Sequence, residues 1–165
     1  MIQFKQHSGI YTLEATQVLQ TTMKSAWDLL ADPSNLAKIT PSEMGFIITS
    51  GEPGPMFQGQ IITYKVSPFA GVKSNWVTEI THVLKGSYFV DEQRFGPYKM
   101  WHHEHHIYPH ERGVLMKDKI SYKLPMGFLG RLFHPIVVKP QLMKIFSYRE
   151  KVLNEMFNQK VEASA

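Results

Sequence analysis

Residues 99–124 read KMWHHEHHIYPHERGVLMKDKISYKL, and their alternation decides the fold. Successive side chains of an extended strand point to opposite faces, so Trp101, His103, His105 and Ile107 share one face and His102, Glu104 and His106 the other. The face that carries Trp and Ile belongs inside. Alternation stops at the turn-forming run Pro109-His110-Glu111-Arg112-Gly113 and resumes through Gly113–Leu124, with Asp118, Ile120 and Tyr122 as the inward set. Strands joined this tightly run antiparallel.

The same grammar extends upstream. Strands are expected at Ile10–Gln20, Phe46–Ser50, Gln60–Ser67, Lys73–His82 and Ser87–Phe95. Between the later ones lie Gly51-Glu52-Pro53-Gly54-Pro55, Pro68-Phe69-Ala70-Gly71, Lys85-Gly86 and Gly96-Pro97. Thr21 or Thr22 can cap a short helix over Met23–Leu30, because a hydroxyl there accepts an orphan backbone N–H. A second short helix is expected over Ser34–Ile39, opened by Pro33 and closed by Pro41. Downstream the period becomes helical, with Leu142, Ile145, Phe146, Arg149, Val152, Leu153 and Met156 at three- and four-residue spacing. This predicts one long carboxy-terminal helix, kinked or broken between Gly130 and Lys139 because proline cannot sit in a helix interior. Gly127–Gly130 reads as a turn feeding it, Met126, Phe128 and Phe133 as rim or core, and Lys160–Ala165 as frayed.

The chain has 165 residues, 43% hydrophobic, 12% aromatic and 19% charged. A chain of this size buries roughly 70% of its unfolded surface, so one sizeable core over residues 1–165 is the expectation. No repeat or low-complexity block divides it. The absence of cysteine excludes disulfides, thiolate metal sites and a Cys nucleophile. The segment Met1–His7 lacks the apolar core of a secretory leader, and no stretch approaches the ~20 apolar residues that span a bilayer. A cytoplasmic protein without stable membrane insertion is therefore expected. The net charge of +4 comes from Lys and Arg scattered singly along the sequence, which argues against a nucleic-acid partner.

Three stretches carry a family resemblance: Phe89-Val90-Asp91-Glu92-Gln93 followed by Gly96-Pro97-Tyr98, the Trp101/His103/His105/Ile107 strand, and Asp118-x-Ile120-x-Tyr122-x-Leu124-Pro125-Met126-Gly127-x-x-Gly130. With Arg149 after Phe146 and Tyr148, and with the order of elements, the chain resembles a bacterial branch of the START/Bet v 1-like superfamily (SRPBCC, polyketide cyclase-like). The resemblance runs from about Tyr11 to about Phe157. It implies an α+β helix-grip fold, a curved antiparallel sheet of about seven strands with two short helices and one long terminal helix around a cavity. It also implies an apolar tunnel that takes a lipid, isoprenoid or polyketide-like molecule, or supports cyclisation.

Parity assigns the expected lining. Phe89, Trp101, Ile107, Ile120, Leu142, Ile145, Phe146 and Leu153 would form apolar walls, and Asp91, Gln93, His103, His105, Asp118 and Tyr122 a polar cluster. That cluster can be a self-satisfied hydrogen-bond network, a ligand-orienting group, or an acid–base pair in which Asp91 or Asp118 tunes His103 or His105. A His-x-His pair could hold a metal with Asp91 or Asp118 inside, or with Glu104 outside. No further ligand motif supports one, and neither a metal nor a cofactor is expected. Nucleophile-elbow, phosphate-loop and dinucleotide motifs are absent from the sequence. The expected activity is binding of a small hydrophobic ligand, with a cyclase or dehydratase as the enzymatic alternative and a protein-interaction module as a third.

Overall fold

The computed structural model describes residues 1–51, 54–69 and 72–158. The expected turns over Gly51–Pro55 and Pro68–Gly71 therefore fall partly, and the frayed end at Lys160–Ala165 wholly, outside the described residues.

Eight antiparallel strands form one sheet in the order β1-β2-β8-β7-β6-β5-β4-β3. They are β1 (Ile2–His7), β2 (Ile10–Leu19), β3 (Ile47–Ile48), β4 (Ile61–Phe69), β5 (Val72–Leu84), β6 (Tyr88–Phe95), β7 (Met100–His110) and β8 (Gly113–Lys123). The strand beyond the expected seven is β1. It pairs with β2 from Ile2↔Ala15 to His7↔Ile10, which leaves Ser8-Gly9 as a two-residue loop. Both loop residues have positive φ, +51° and +76°, the backbone a tight hairpin needs to match strand twist.

Thr22 caps α1 (Met23–Leu30) by accepting the Ser25 N–H. The second expected helix is a 3-10 turn, Pro33–Ala37, followed by another at Ser42–Met44 that begins after Pro41. Prolines at 33 and 41 leave too short a stretch for a cooperative α-helix. The terminal helix is broken where expected. It consists of α2 (Gly127–Phe133), a π-helical segment His134–Val138 containing Pro135, and α3 (Lys139–Phe157), which opens with Pro140 in its first turn. Gly127–Gly130 is the first turn of α2, and the reversal sits one residue earlier, where Met126 and Gly127 have φ of +63° and +50°.

Two hydrophobic clusters fill the space between sheet and helices. One gathers Tyr11, Trp76, Tyr98, Tyr122, Leu142 and Phe146, and the other Leu19, Trp27, Phe89, Ile107, Met116 and Leu153. α3 serves both, burying Leu142, Phe146, Arg149 and Leu153 on one face. No helix among the described residues is long and apolar enough to cross a membrane.

Candidate functional site

Between sheet and helix lies a cavity of about 170 Å³, room for on the order of a dozen water-sized groups. Trp76, Tyr64, Tyr98 and Trp101 form an aromatic wall, Leu30, Leu36 and Ile39 a second side, and Leu142, Ile145 and Phe146 the helical side. Trp76 holds the aromatic wall together, its ring centroid 5.7 Å from that of Tyr98 and 5.3 Å from that of Trp101. Its indole N–H donates to Thr78 Oγ1 at 3.1 Å, and the Tyr64 hydroxyl lies 2.9 Å from the same oxygen. These buried donors therefore have a partner. Burial raises the Tyr64 and Tyr98 hydroxyl pKa values far above the ordinary phenol, so both stay neutral.

The polar side of the cavity is Asp91, His103, His105 and Arg149. Strand register explains the grouping, since His103 pairs with Asp91 on β6 and Ile120 on β8, and His105 pairs with Phe89 and Asp118. The two imidazoles lie against one another, tilted by 36° with centroids 3.7 Å apart, and each spans both carboxylates. His105 Nε2 hydrogen-bonds Asp91 Oδ2 at 2.9 Å, while its Nδ1 lies 2.8 Å from Asp118 Oδ1, out of line for a hydrogen bond. His103 Nε2 hydrogen-bonds Asp118 Oδ1 at 3.2 Å, and its Nδ1 is 3.4 Å from Asp91 Oδ2. Arg149 Nη1 donates to Asp118 Oδ2 at 3.5 Å. Arg149 Nε is buried with no hydrogen-bond partner among the described residues.

Burial alone would neutralise such charges. It pushes Asp118 upward, yet the hydrogen bond from His103, the close approach of His105 and the charge of Arg149 outweigh it and hold the carboxyl well below its ordinary value. Asp91 is likewise lowered despite burial, mainly by its hydrogen bond with His105. The histidines split. Burial and the charge of His105 lower His103, whereas for His105 the two carboxylates overcome burial and raise it above 6.5. At a pH between the two histidine values the ledger balances, with Asp91 and Asp118 negative, Arg149 and His105 positive, and His103 neutral.

Eight of the sequence-expected residues line the cavity: Phe89, Asp91, Trp101, His103, His105, Leu142, Ile145 and Phe146. Asp118 is fully buried behind the imidazoles, and Ile107, Ile120 and Leu153 are core. Gln93 instead closes the β6–β7 turn, donating to the Tyr98 carbonyl at 2.7 Å and accepting its N–H at 3.2 Å. Tyr122 lies at the helix break, its hydroxyl 2.7 Å from His134 Nε2, on a ring that stacks against Tyr11 at 3.6 Å. His102 and His106, on the opposite face of β7, pair with Glu92 and Glu104. The aromatic wall on β4 and β5 and the α1 side were not anticipated, although Trp76, Thr78 and Ile80 alternate on β5 as inward residues should. Asp91, His103 and His105 also bring one ligand atom each within 4.8 Å of one another and could hold a divalent ion. Such an ion would displace the proton between His105 and Asp91.

A sheet gripping a long broken helix, with an apolar cavity and one polar side, defines the START/Bet v 1-like helix-grip architecture. Solved structures agree. A protein from Thermus thermophilus superposes with a TM-score of 0.69 at 14% identity, over 92% of this chain and 99% of its own. An aromatase/cyclase from a Streptomyces species does so at 0.67 and 16%, over 94% and 98%. A major latex-like protein from Panax ginseng does so at 0.66 and 13%, over 91% and 99%. No family model and no curated protein sequence matches the chain. Identities this low establish the fold and leave the activity to the site.

Proposed function

We propose that this protein binds a small, largely apolar molecule in the cavity and orients it through the Asp91/His103/His105/Arg149 side. The observation that carries this reading is a largely apolar cavity into which Asp91, His103, His105 and Arg149 bring polar groups. A few polar groups in an otherwise apolar cavity is the usual makeup of a small-molecule site, and a carbonyl, ether or hydroxyl oxygen on a ligand could pair with them. Because the cluster already pairs its own charges, a ligand neutral at its polar end fits better than a carboxylate, which would add an uncompensated charge to a largely apolar cavity. Lipid, isoprenoid and polyketide-like molecules all include such compounds, and a cytoplasmic setting belongs with this reading.

Acid–base chemistry is the second reading, favoured by the opposed shifts of His103 and His105. Two adjacent titratable groups pushed apart can act as base and acid. One experiment separates the two readings. Native mass spectrometry of protein purified from its own host identifies a retained compound, and that compound is then titrated into wild type and His103→Gln. Orientation alone predicts a loss of affinity of about fivefold, the worth of one neutral hydrogen bond, and an unaltered ligand. Catalysis predicts a change in ligand mass or isomer that slows ~10²–10⁴-fold in the variant. An empty cavity in the native protein, with no affinity for apolar probes, would refute both.

A further inference from the structure

The segment Met126–Val138 is built inside out. Gly130, His134 and Val138, four residues apart, form its buried face, whereas Phe128, Leu132, Phe133 and Ile136 are 69%, 54%, 52% and 71% exposed. Met126 and Leu129 are exposed beside them. At 100° per residue these side chains fall on one side of α2 and the π-helical segment, so a continuous apolar stripe faces outward. Surface helices of globular proteins ordinarily show the reverse, and contiguous exposed apolar patches mark interaction sites.

Strand register places more of the same chemistry at this end of the sheet. The Ser8-Gly9 turn, the start of β5, the β6–β7 turn and the exit of β8 into α2 share one end, through the pairs His7↔Ile10, Phe69↔Val72, Val77↔Phe95, Tyr11↔Tyr122 and Met100↔Lys123. Val72 and Phe95 are each 63% exposed there. None of the chain's 14 acidic residues falls in 1–13, 65–69, 72–78, 93–103 or 119–149, the segments that build this end, yet Lys73, Lys99, Lys123, Arg131 and Lys139 do, while Lys5 is paired with Glu14 at 3.5 Å. Glu43, on the neighbouring 3-10 turn, is occupied by Lys144 at 2.6 Å.

We infer that the α2 end of the protein docks reversibly on an anionic bilayer surface, with the Phe128/Leu132/Phe133/Ile136 stripe in the headgroup–acyl boundary and the surrounding cations on lipid phosphates and carboxylates. An amphipathic segment of this kind lies in the interface plane, and basic side chains around it add attraction to anionic lipid. A second copy of the chain is the weaker occupant, because a twofold interface on this end would set cations opposite cations, with its nearest carboxylates, Glu43 and Glu14, already paired within the chain. The inference goes beyond the cavity reading and stands without it.

The test is co-sedimentation of the full chain with vesicles of phosphatidylcholine alone and of phosphatidylcholine containing about one-third phosphatidylserine. Binding to the anionic vesicles is expected, at least tenfold weaker on neutral ones and weakened by salt. Phe128→Ser with Phe133→Ser should reduce it at least tenfold, and Lys123→Glu or Arg131→Glu by about fivefold or more each. Phe128, Arg131 and Phe133 are exposed and Lys123 is half-buried at the end of β8, so the circular dichroism spectrum and melting temperature should hold. Absence of vesicle binding, equal binding to neutral vesicles, or unaltered binding by the Ser variant would each overturn the inference. So would a stable dimer that Phe128→Ser dissociates. Failure here would leave cavity occupancy, read by native mass spectrometry, untouched.

Discussion

Asp118→Asn tests the charge ledger at its centre. Asp118 is 0% exposed and accepts from His103 Nε2 and Arg149 Nη1, with His105 Nδ1 2.8 Å away. Asparagine keeps the shape and removes the charge, so Asp91 alone must then balance Arg149 and a protonated His105. Breaking a buried ion pair by removing one partner costs about 3–5 kcal/mol, because the surviving charge stays buried. That loss is expected in urea unfolding near pH 6. Its pH dependence follows from the two shifts. The Asp118 pKa is depressed in the folded state, so its contribution is present above the unfolded value of about 3.9 and disappears as pH falls through the lower folded value. The His105 pKa is raised, so its contribution is complete below about 6.5 and disappears as pH rises through the folded value. His103, lowered in the fold, loses stability below about 6.5 in both proteins and largely cancels. The wild type should therefore exceed the variant most between about pH 4 and 6.5, with the gap narrowing on both sides. An NMR titration should also show His105 moving down in the variant. A gap under about 1 kcal/mol, or one flat from pH 3 to 9, would refute the ledger.

Phe146 is 4% exposed, caps the side of His103 and also lines the cavity. Phe146→Ala should destabilise by about 3 kcal/mol, the low end for a buried ring because part of the space is already open, and should enlarge the cavity enough to bind a bulkier apolar probe by calorimetry. Gly130→Ala separates two opposed effects: alanine favours a helix by about 1 kcal/mol, but a Cβ here would collide with the Pro125 carbonyl and crowd Leu124. The steric effect should win, giving a net loss of about 1–3 kcal/mol in thermal unfolding, and a stabilised variant would show that α2 rides free of the β8 exit.

What could be read from the sequence was whatever has a short period. The faces of β7 and β8 follow from alternation alone, and so does the meeting of His103 and His105 with Asp91 and Asp118, because antiparallel register sets like faces opposite. The edge strand β1 was not legible from hydrophobicity, since among its six residues only Ile2 and Phe4 face inward; the Ser8-Gly9 dipeptide was the one signal for it. Gln93 has cavity parity but spends its amide on the Tyr98 backbone, a choice made by the turn geometry and not by the alternation. The outward stripe on α2 illustrates the deeper limit. Periodicity shows that Phe128, Leu132 and Ile136 share a side of a helix, yet it is equally consistent with that side facing in or out. Here the inner side is decided by Gly130, which alone lets the helix approach the Pro125 carbonyl, and by His134, which fits between Tyr11 and Tyr122. Charge behaves the same way. Lys and Arg look evenly scattered along the chain, and only the sheet order reveals that the segments meeting at the α2 end carry no carboxylate beyond Glu43, which Lys144 occupies. The cavity chemistry is thus written in local patterns, whereas the surface that would present this protein to a bilayer exists only once the strands have been placed side by side.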